Sequence, residues 1–175
     1  HDPDAPTPGI CVDGKKLNED PVLLKIGDKD VPFSLYRHYF LLYKSYFEMY
    51  YGEDFYKDDP DGDNVAVLKQ SVDEQLRYLY TWTAVAEQDG IVLSEEDHAE
   101  IRATMAQQKE EYGEEGWRAQ LDNMYYLDDA DYLAVTELQK LADKAKENYR
   151  TRTQRENKAK FYEEAATEYD EEYLT

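Results

Sequence analysis

The sequence predicts an all-α protein, an irregular bundle of five or six helices with at most one short β-hairpin near residues 22–33. Three observations lead there. Apolar residues recur in alternating steps of three and four along most of the 175 residues, a spacing that gathers side chains on one helix face. Serine, threonine or aspartate precedes several of these runs and glycine follows them, as helix starts and stops require. Only Val22-Leu23-Leu24-Lys25-Ile26 has the short aliphatic and β-branched make-up of a strand. The 40 acidic and 20 basic residues give a net charge of −20, a pI near 4.4 and a mean hydropathy of −0.90, values that lean toward disorder. The 17 Tyr, 5 Phe and 2 Trp decide against it, because disordered chains are poor in the rings that build a core.

Residues 1–21 carry Pro3, Pro6, Pro8 and Pro21 with little apolar material and read as a disordered leader or tether. The chain starts at His1 rather than Met and so reads as a processed or recombinant fragment. The strand run, the polar turn Gly27-Asp28-Lys29-Asp30 and the return Val31-Pro32-Phe33 then predict the hairpin. Pro32 blocks the ladder and Ser34 caps a helix over about 35–51, with Tyr36, Tyr39, Phe40, Tyr43, Phe47 and Tyr50 on one face and Gly52 as its stop. Residues 53–63 form an acidic loop, and a second helix over about 64–89 aligns Val65, Leu68, Val72, Leu76, Leu79, Thr83 and Ala86 before Gly90. Ser94 and Asp97 form a capping box for a third helix whose inner face is Ile101, Met105, Gln108 and Tyr112. Gly113 and Gly116 interrupt it, and a short helix follows around Trp117, Leu121 and Met124. Asp128 or Asp129 caps a long helix through Tyr132, Val135, Leu138, Leu141, Ala142, Ala145 and Tyr149. The spacing Thr153 to Glu156 repeats a capping box, which predicts a break near Thr151, a helical domain over 22–150, and a C-terminal helix and linker over 151–175.

Several function classes fall away. A chain of net −20 repels nucleic-acid phosphates. No apolar run approaches the roughly 20 residues that span a bilayer. The glycines never occur as G-x-G, and none of the four serines lies in G-x-S-x-G, so no dinucleotide loop or hydrolase elbow is legible. Cys11 is the only cysteine and can form neither an internal disulfide nor a paired thiolate ligand set. The run Asp58-Asp59-Pro60-Asp61-Gly62-Asp63-Asn64 fails as a calcium loop, since with Asp59 first, Asn64 stands at the turn glycine and Gln70 at the bidentate glutamate. It reads as a solvated turn before a helix N-terminus. His38 and His98 read as solvent-facing, too few for a metal site. No catalytic residue, metal or cofactor is expected.

Two surfaces remain. Eight basic residues between Lys140 and Lys160, among them Arg150, Arg152 and Arg155, face only Asp143, Glu147 and Glu156. They read first as the charged outer face of a helix and otherwise as a dock for an anionic partner, as in a scaffolding module of the cell envelope. The aromatic residues carry more weight. Phe40, Tyr43 and Phe47 belong to the core, yet Tyr46, Tyr50, Tyr51, Phe55 and Tyr56 crowd one helix end while Met124, Tyr125 and Tyr126 follow another. One face cannot bury all of them, and surplus Tyr and Met suit a groove for extended apolar segments.

The order of elements resembles the SurA-type N-terminal chaperone domain. The residues that carry the resemblance are Ile26-Gly27-Asp28-Lys29-Asp30-Val31, Tyr36 in the first helix, Ala86-Glu87-Gln88-Asp89-Gly90, Ile91-Val92-Leu93-Ser94-Glu95-Glu96-Asp97, and Tyr112-Gly113-Glu114-Glu115-Gly116-Trp117. They extend over about 22–150. Phe161-Tyr162-Glu163-Glu164 with Tyr169-Asp170-Glu171-Glu172-Tyr173-Leu174 resembles the segment that leads into the parvulin domain of PrsA-like foldases. The resemblance implies the non-catalytic chaperone part of an exported peptidyl-prolyl isomerase. It implies unfolded or extended clients, homodimerisation, and an extracytoplasmic location, with a lipid anchor upstream of His1. The dense tyrosine content and the acidic loop depart from the family's pattern.

Overall fold

The computed structural model describes residues 11–12, 15–16, 20–57 and 59–173, with side chains through Lys158 from residue 20 onward. It is mostly helical with a small hairpin at 22–32, as the sequence predicts, but the helices number four rather than five or six: α1 (Phe33–Tyr51), α2 (Asp63–Asp89), α3 (Glu95–Asn123) and α4 (Asp129–Tyr173). The predicted hairpin is formed by β3 (Val22–Ile26) and β4 (Lys29–Pro32), with Ile26 opposite Lys29, Lys25 opposite Asp30 and Leu24 opposite Val31. Gly27 turns it with a φ of +63°. A second antiparallel pair, β1 (Cys11–Val12) with β2 (Lys15–Lys16), lies within the stretch assigned to the leader. The remaining leader positions are outside the described residues.

Of the two expected helix breaks, one is present and one is not. Gly113 leaves helical geometry, with φ +68° and ψ 175°, so α3 consists of two helical segments that meet at a kink there. Before the bend Ile101 is buried but Tyr112, expected on the same face, is exposed; past the bend Trp117 and Leu121 are buried. At Thr151 there is no break. Residues 129–173 contain neither glycine nor proline, and a helix with no stop signal propagates through a latent capping box. Residue 151 is therefore no boundary between helices.

The caps show how the chain is fastened. Ser94 and Asp97 form the predicted capping box reciprocally. Asp128 Oδ1 accepts from the Asp131 amide at 2.9 Å and so caps α4. Ser34, by contrast, is not the cap of α1. It lies within the first turn, where Asp20 accepts from both its amide (3.0 Å) and its hydroxyl, while the Phe33 amide donates to Pro21 O at 2.8 Å. The first turn of α1 is thus capped from the far side of the hairpin. Asp20→Ala is expected to cost about 1 kcal/mol, the usual worth of an N-cap, read as a lower urea midpoint at unchanged slope.

Leu68, Val72, Leu76, Leu79, Thr83 and Ala86 form the buried stripe of α2, as predicted. This helix is the centre of the bundle, packing against both α1 and α4, while α3 packs on α4 and the β3–β4 hairpin covers the start of α1. Val31, Leu35, Tyr39, Trp117, Leu121, Tyr126, Tyr132, Val135 and Ala142 complete the core. The core lies around α2, and the C-terminal turns of α1 extend to its edge.

Candidate functional site

Tyr43, Phe47 and Tyr51 follow one another at steps of four, so their rings line up along α1. Phe47 and Tyr51 are near-parallel, 6.0 Å apart at 20°. Gly52, with φ +96°, ends the helix, and the turn after it brings Phe55 back onto Tyr51 at 4.8 Å and 20°, and onto Phe47 at 5.9 Å and 14°. A three-ring stack therefore closes the end of α1. Tyr56 meets Phe55 edge-on at 4.9 Å and turns inward. Burial, with Glu48 nearby, pushes the Tyr56 phenol up, and the Lys44 ammonium lies 5.6 Å above its ring.

On the outer side of this stack the side chains are open. Tyr50 is 82% exposed and Met49 is 73% exposed, with Tyr46 and Tyr51 also exposed beside them. Tyr43, Tyr46, Phe47, Tyr50 and Tyr51 enclose an open hollow of about 310 Å³, and Tyr51, Glu53, Asp54, Phe55 and Asn64 line an adjoining one of about 390 Å³. The loop beneath is held in place. Asp59 Oδ2 accepts from the Asn64 and Val65 amides at 3.1 and 3.2 Å, and Asn64 Nδ2 donates to Phe55 O at 2.7 Å. The rings thus sit on a fastened loop and a packed helix. Met49 escaped the sequence reading, although its place between Tyr46 and Tyr50 is the signal that marks it.

The other three residues expected at this site lie elsewhere. Tyr126 is 6% exposed and belongs to the core, stacked on His38 at 4.4 Å and edge-on to Tyr132 at 5.2 Å. Tyr125 takes a left-handed φ of +64° where α3 ends, so the Tyr126 amide reaches Leu121 O at 2.8 Å and its ring turns inward. Arg37 donates to Tyr125 O at 3.0 Å, which places 124–126 beside the beginning of α1. The 13 residues from Arg37 to Tyr50 separate the two clusters by roughly 20 Å of helix. Met124 and Tyr125 therefore do not share a groove with Tyr50. His38, expected in solvent, is 2% exposed. His98 is half-buried and bonded through Nδ1 to Glu137 at 2.8 Å.

The basic segment lines a larger open groove of about 880 Å³ between α4 and the start of α3, but its charges are mostly committed. Lys144 pairs with Asp97 and holds that carboxyl well below the usual range, with Ser94 adding to the effect. Lys140 pairs with Glu100 at 2.9 Å, Arg150 with Glu147 at 2.8 Å, and Arg152 with Asp89 at 3.0 Å while lying over the Tyr149 ring. Among the three arginines singled out, Arg155 alone has no ion-pair partner among the described residues. This is the seam of neighbouring helices. It is the larger hollow, but the free apolar surface is at the end of α1.

Among the described residues no group of His, Cys, Asp and Glu could hold a metal, and no helix is long and apolar enough to cross a membrane. Compared with protein-family models, curated proteins and solved structures, the chain has no match in any of the three.

Proposed function

We propose that the chain is an ATP-independent polypeptide-binding module that holds unfolded or extended client segments on the aromatic surface formed by Tyr46, Met49, Tyr50, Tyr51 and Phe55. The observation that carries this reading is the mounting of exposed rings on a rigid base. Tyr50 stands open to water although three residues away Phe47 packs against the core, and the loop that supplies Phe55 is fixed by Asp59 and Asn64. Contiguous exposed apolar surface of this kind marks interaction sites. Tyrosine suits the task because its large ring has few rotors to freeze on binding, and the flexible Met49 side chain adapts to differing shapes. The resemblance to SurA-type and PrsA-like foldases extends the proposal to an extracytoplasmic chaperone segment of a peptidyl-prolyl isomerase. The net charge of −20 supports it further, since like-charged complexes repel and stay dispersed.

The test is light scattering from a chemically unfolded client diluted into buffer without ATP. The chain at several-fold molar excess is expected to suppress aggregation, and the double variant Tyr50→Ser/Tyr51→Ser to lose most of that effect. Tyr50 is open to water while Tyr51 stacks on Phe47 and Phe55, so the double variant should lose about 0.5–1.5 kcal/mol per ring pair broken, and urea unfolding checks that it remains folded in the assay. Absence of suppression by the parent, or equal suppression by the variant, would overturn the proposal.

A further inference from the structure

The charge around the aromatic surface points to what it recognises within the class of extended polypeptides. Glu53 and Asp54 line the hollow beside Tyr51 and Phe55. Asp61 lies at the end of the same loop and Asp63 opens α2, next to Asn64, which lines that hollow. Lys57, the one basic residue of this loop, is engaged by Asp54 at 2.6 Å. No lysine or arginine pairs with Glu53, Asp61 or Asp63 among the described residues. Open ring faces and unneutralised carboxylates therefore stand side by side.

We propose that this surface, as a polypeptide-binding site, selects segments in which arginine or lysine alternates with apolar or aromatic residues. Both halves of such a segment find a complement. A guanidinium stacks flat on a tyrosine or phenylalanine face, where the ring quadrupole attracts it, and its N–H groups reach carboxylates at the ring edge. Arginine fits better than lysine, because its planar head is less strongly hydrated and offers several donors in one plane. Apolar side chains of the segment enter the hollow walled by Tyr43, Tyr46 and Phe47. An acidic segment brings like charge to a loop that already carries several uncompensated negatives, so it is rejected.

This inference rests on the polypeptide-binding reading, and the test separates the two. Fluorescently labelled unstructured peptides of equal length and tyrosine content, bearing arginine, glutamine or glutamate at the alternate positions, are titrated with the whole chain and followed by anisotropy. The arginine peptide is expected to bind at least about tenfold more tightly than the glutamine peptide, with the difference shrinking as salt shortens the range of electrostatics from about 10 Å at 0.1 M to about 3 Å at 1 M. Glu53→Gln/Asp61→Asn/Asp63→Asn should remove most of that preference while leaving the glutamine peptide's affinity in place. Glu110→Gln/Glu111→Gln/Glu115→Gln, an equal change in net charge on α3, should leave the preference intact. Tyr50→Ser/Tyr51→Ser should weaken both peptides. Equal binding of arginine and glutamine peptides with loss in the tyrosine variant would overturn the charge selection and keep the binding site. An arginine preference lowered equally by both triple variants would assign it to bulk charge and overturn the proposal. Insensitivity of every peptide to Tyr50 and Tyr51, or a self-associated chain that releases peptide as it dimerises through these tyrosines, would overturn site and selectivity together.

Discussion

Trp117→Ala is expected to cost about 3–5 kcal/mol, the usual range for emptying a buried aromatic site, and to lower the melting temperature by about 10 °C or more. Trp117 lies past the bend at Gly113, where α3 has no continuous helix on its N-terminal side to hold it straight. Its docking rests on contacts with the start of α4. The indole is buried, meets the Tyr132 ring at 5.3 Å and 79°, and donates from Nε1 to Asp129 Oδ1 at 2.7 Å. Burial alone would push the Asp129 carboxyl up, but the hydrogen bonds from Lys109 and Trp117 hold it below its ordinary value. Trp117→Phe keeps one ring but loses the donor and the volume of the second ring, so it should cost about 1.5–3 kcal/mol, less than the alanine variant. Urea unfolding of both variants decides the matter. A cost below about 1 kcal/mol for Trp117→Ala would mean that the second half of α3 is not part of the cooperative core.

Much of this architecture is legible in the sequence, and the misses share a cause. The stripe of α2 and the capping box at Ser94 are local patterns, and both form as read. The cap of α1 is not local: Asp20 reaches Ser34 across the whole β3–β4 hairpin, so a rule that looks at the residue before the helix selects Ser34. Thr153 and Glu156 have the right spacing for a helix start, but a start needs a preceding stop, and no glycine or proline supplies one.

The functional surface divides along the same line. Tyr46, Tyr50, Tyr51, Phe55 and Tyr56 lie within eleven consecutive residues, so helix periodicity and one glycine stop suffice to bring them together. Assigning Met124, Tyr125 and Tyr126 to the same place required knowing how two helices cross. Which of the adjacent tyrosines goes inside depends on the left-handed turn at Tyr125, which composition does not encode. His38 is different, because its signal was present: it lies three residues after Leu35 and next to Tyr39, both buried. Reading histidine as polar concealed a position on the core face.

That position makes the protein sensitive to mild acid. Burial, assisted by the Arg37 charge, drives the His38 imidazole down to about 4, against an ordinary 6.5, although the Tyr125 and Met124 backbone partly offsets the shift. Its ring is enclosed by Tyr39 at 4.9 Å and Tyr126 at 4.4 Å, and its Nδ1 is buried with no partner to share a proton. Above pH 6.5 the imidazole is neutral in both folded and unfolded chains and stability is at its full value. Between 6.5 and 4 the unfolded chain takes up a proton that the folded one refuses, so stability falls as pH falls. The loss reaches about 3 kcal/mol near pH 4 by linkage. Asp97, held low by Lys144, loses its contribution only in more acidic solution, and Asp131, pushed up by burial, acts with the opposite sign. The difference between parent and His38→Phe isolates the histidine, since phenylalanine preserves the ring stack and cannot titrate, while Arg37 still satisfies Tyr125 O. Chemical unfolding at half-unit steps from pH 7.5 to 4 should show the parent losing about 3 kcal/mol relative to His38→Phe, all of it below pH 6.5. Parallel curves for the two proteins would show that His38 is protonated in the fold and that its surroundings are wetter than the packing of Tyr39 and Tyr126 implies.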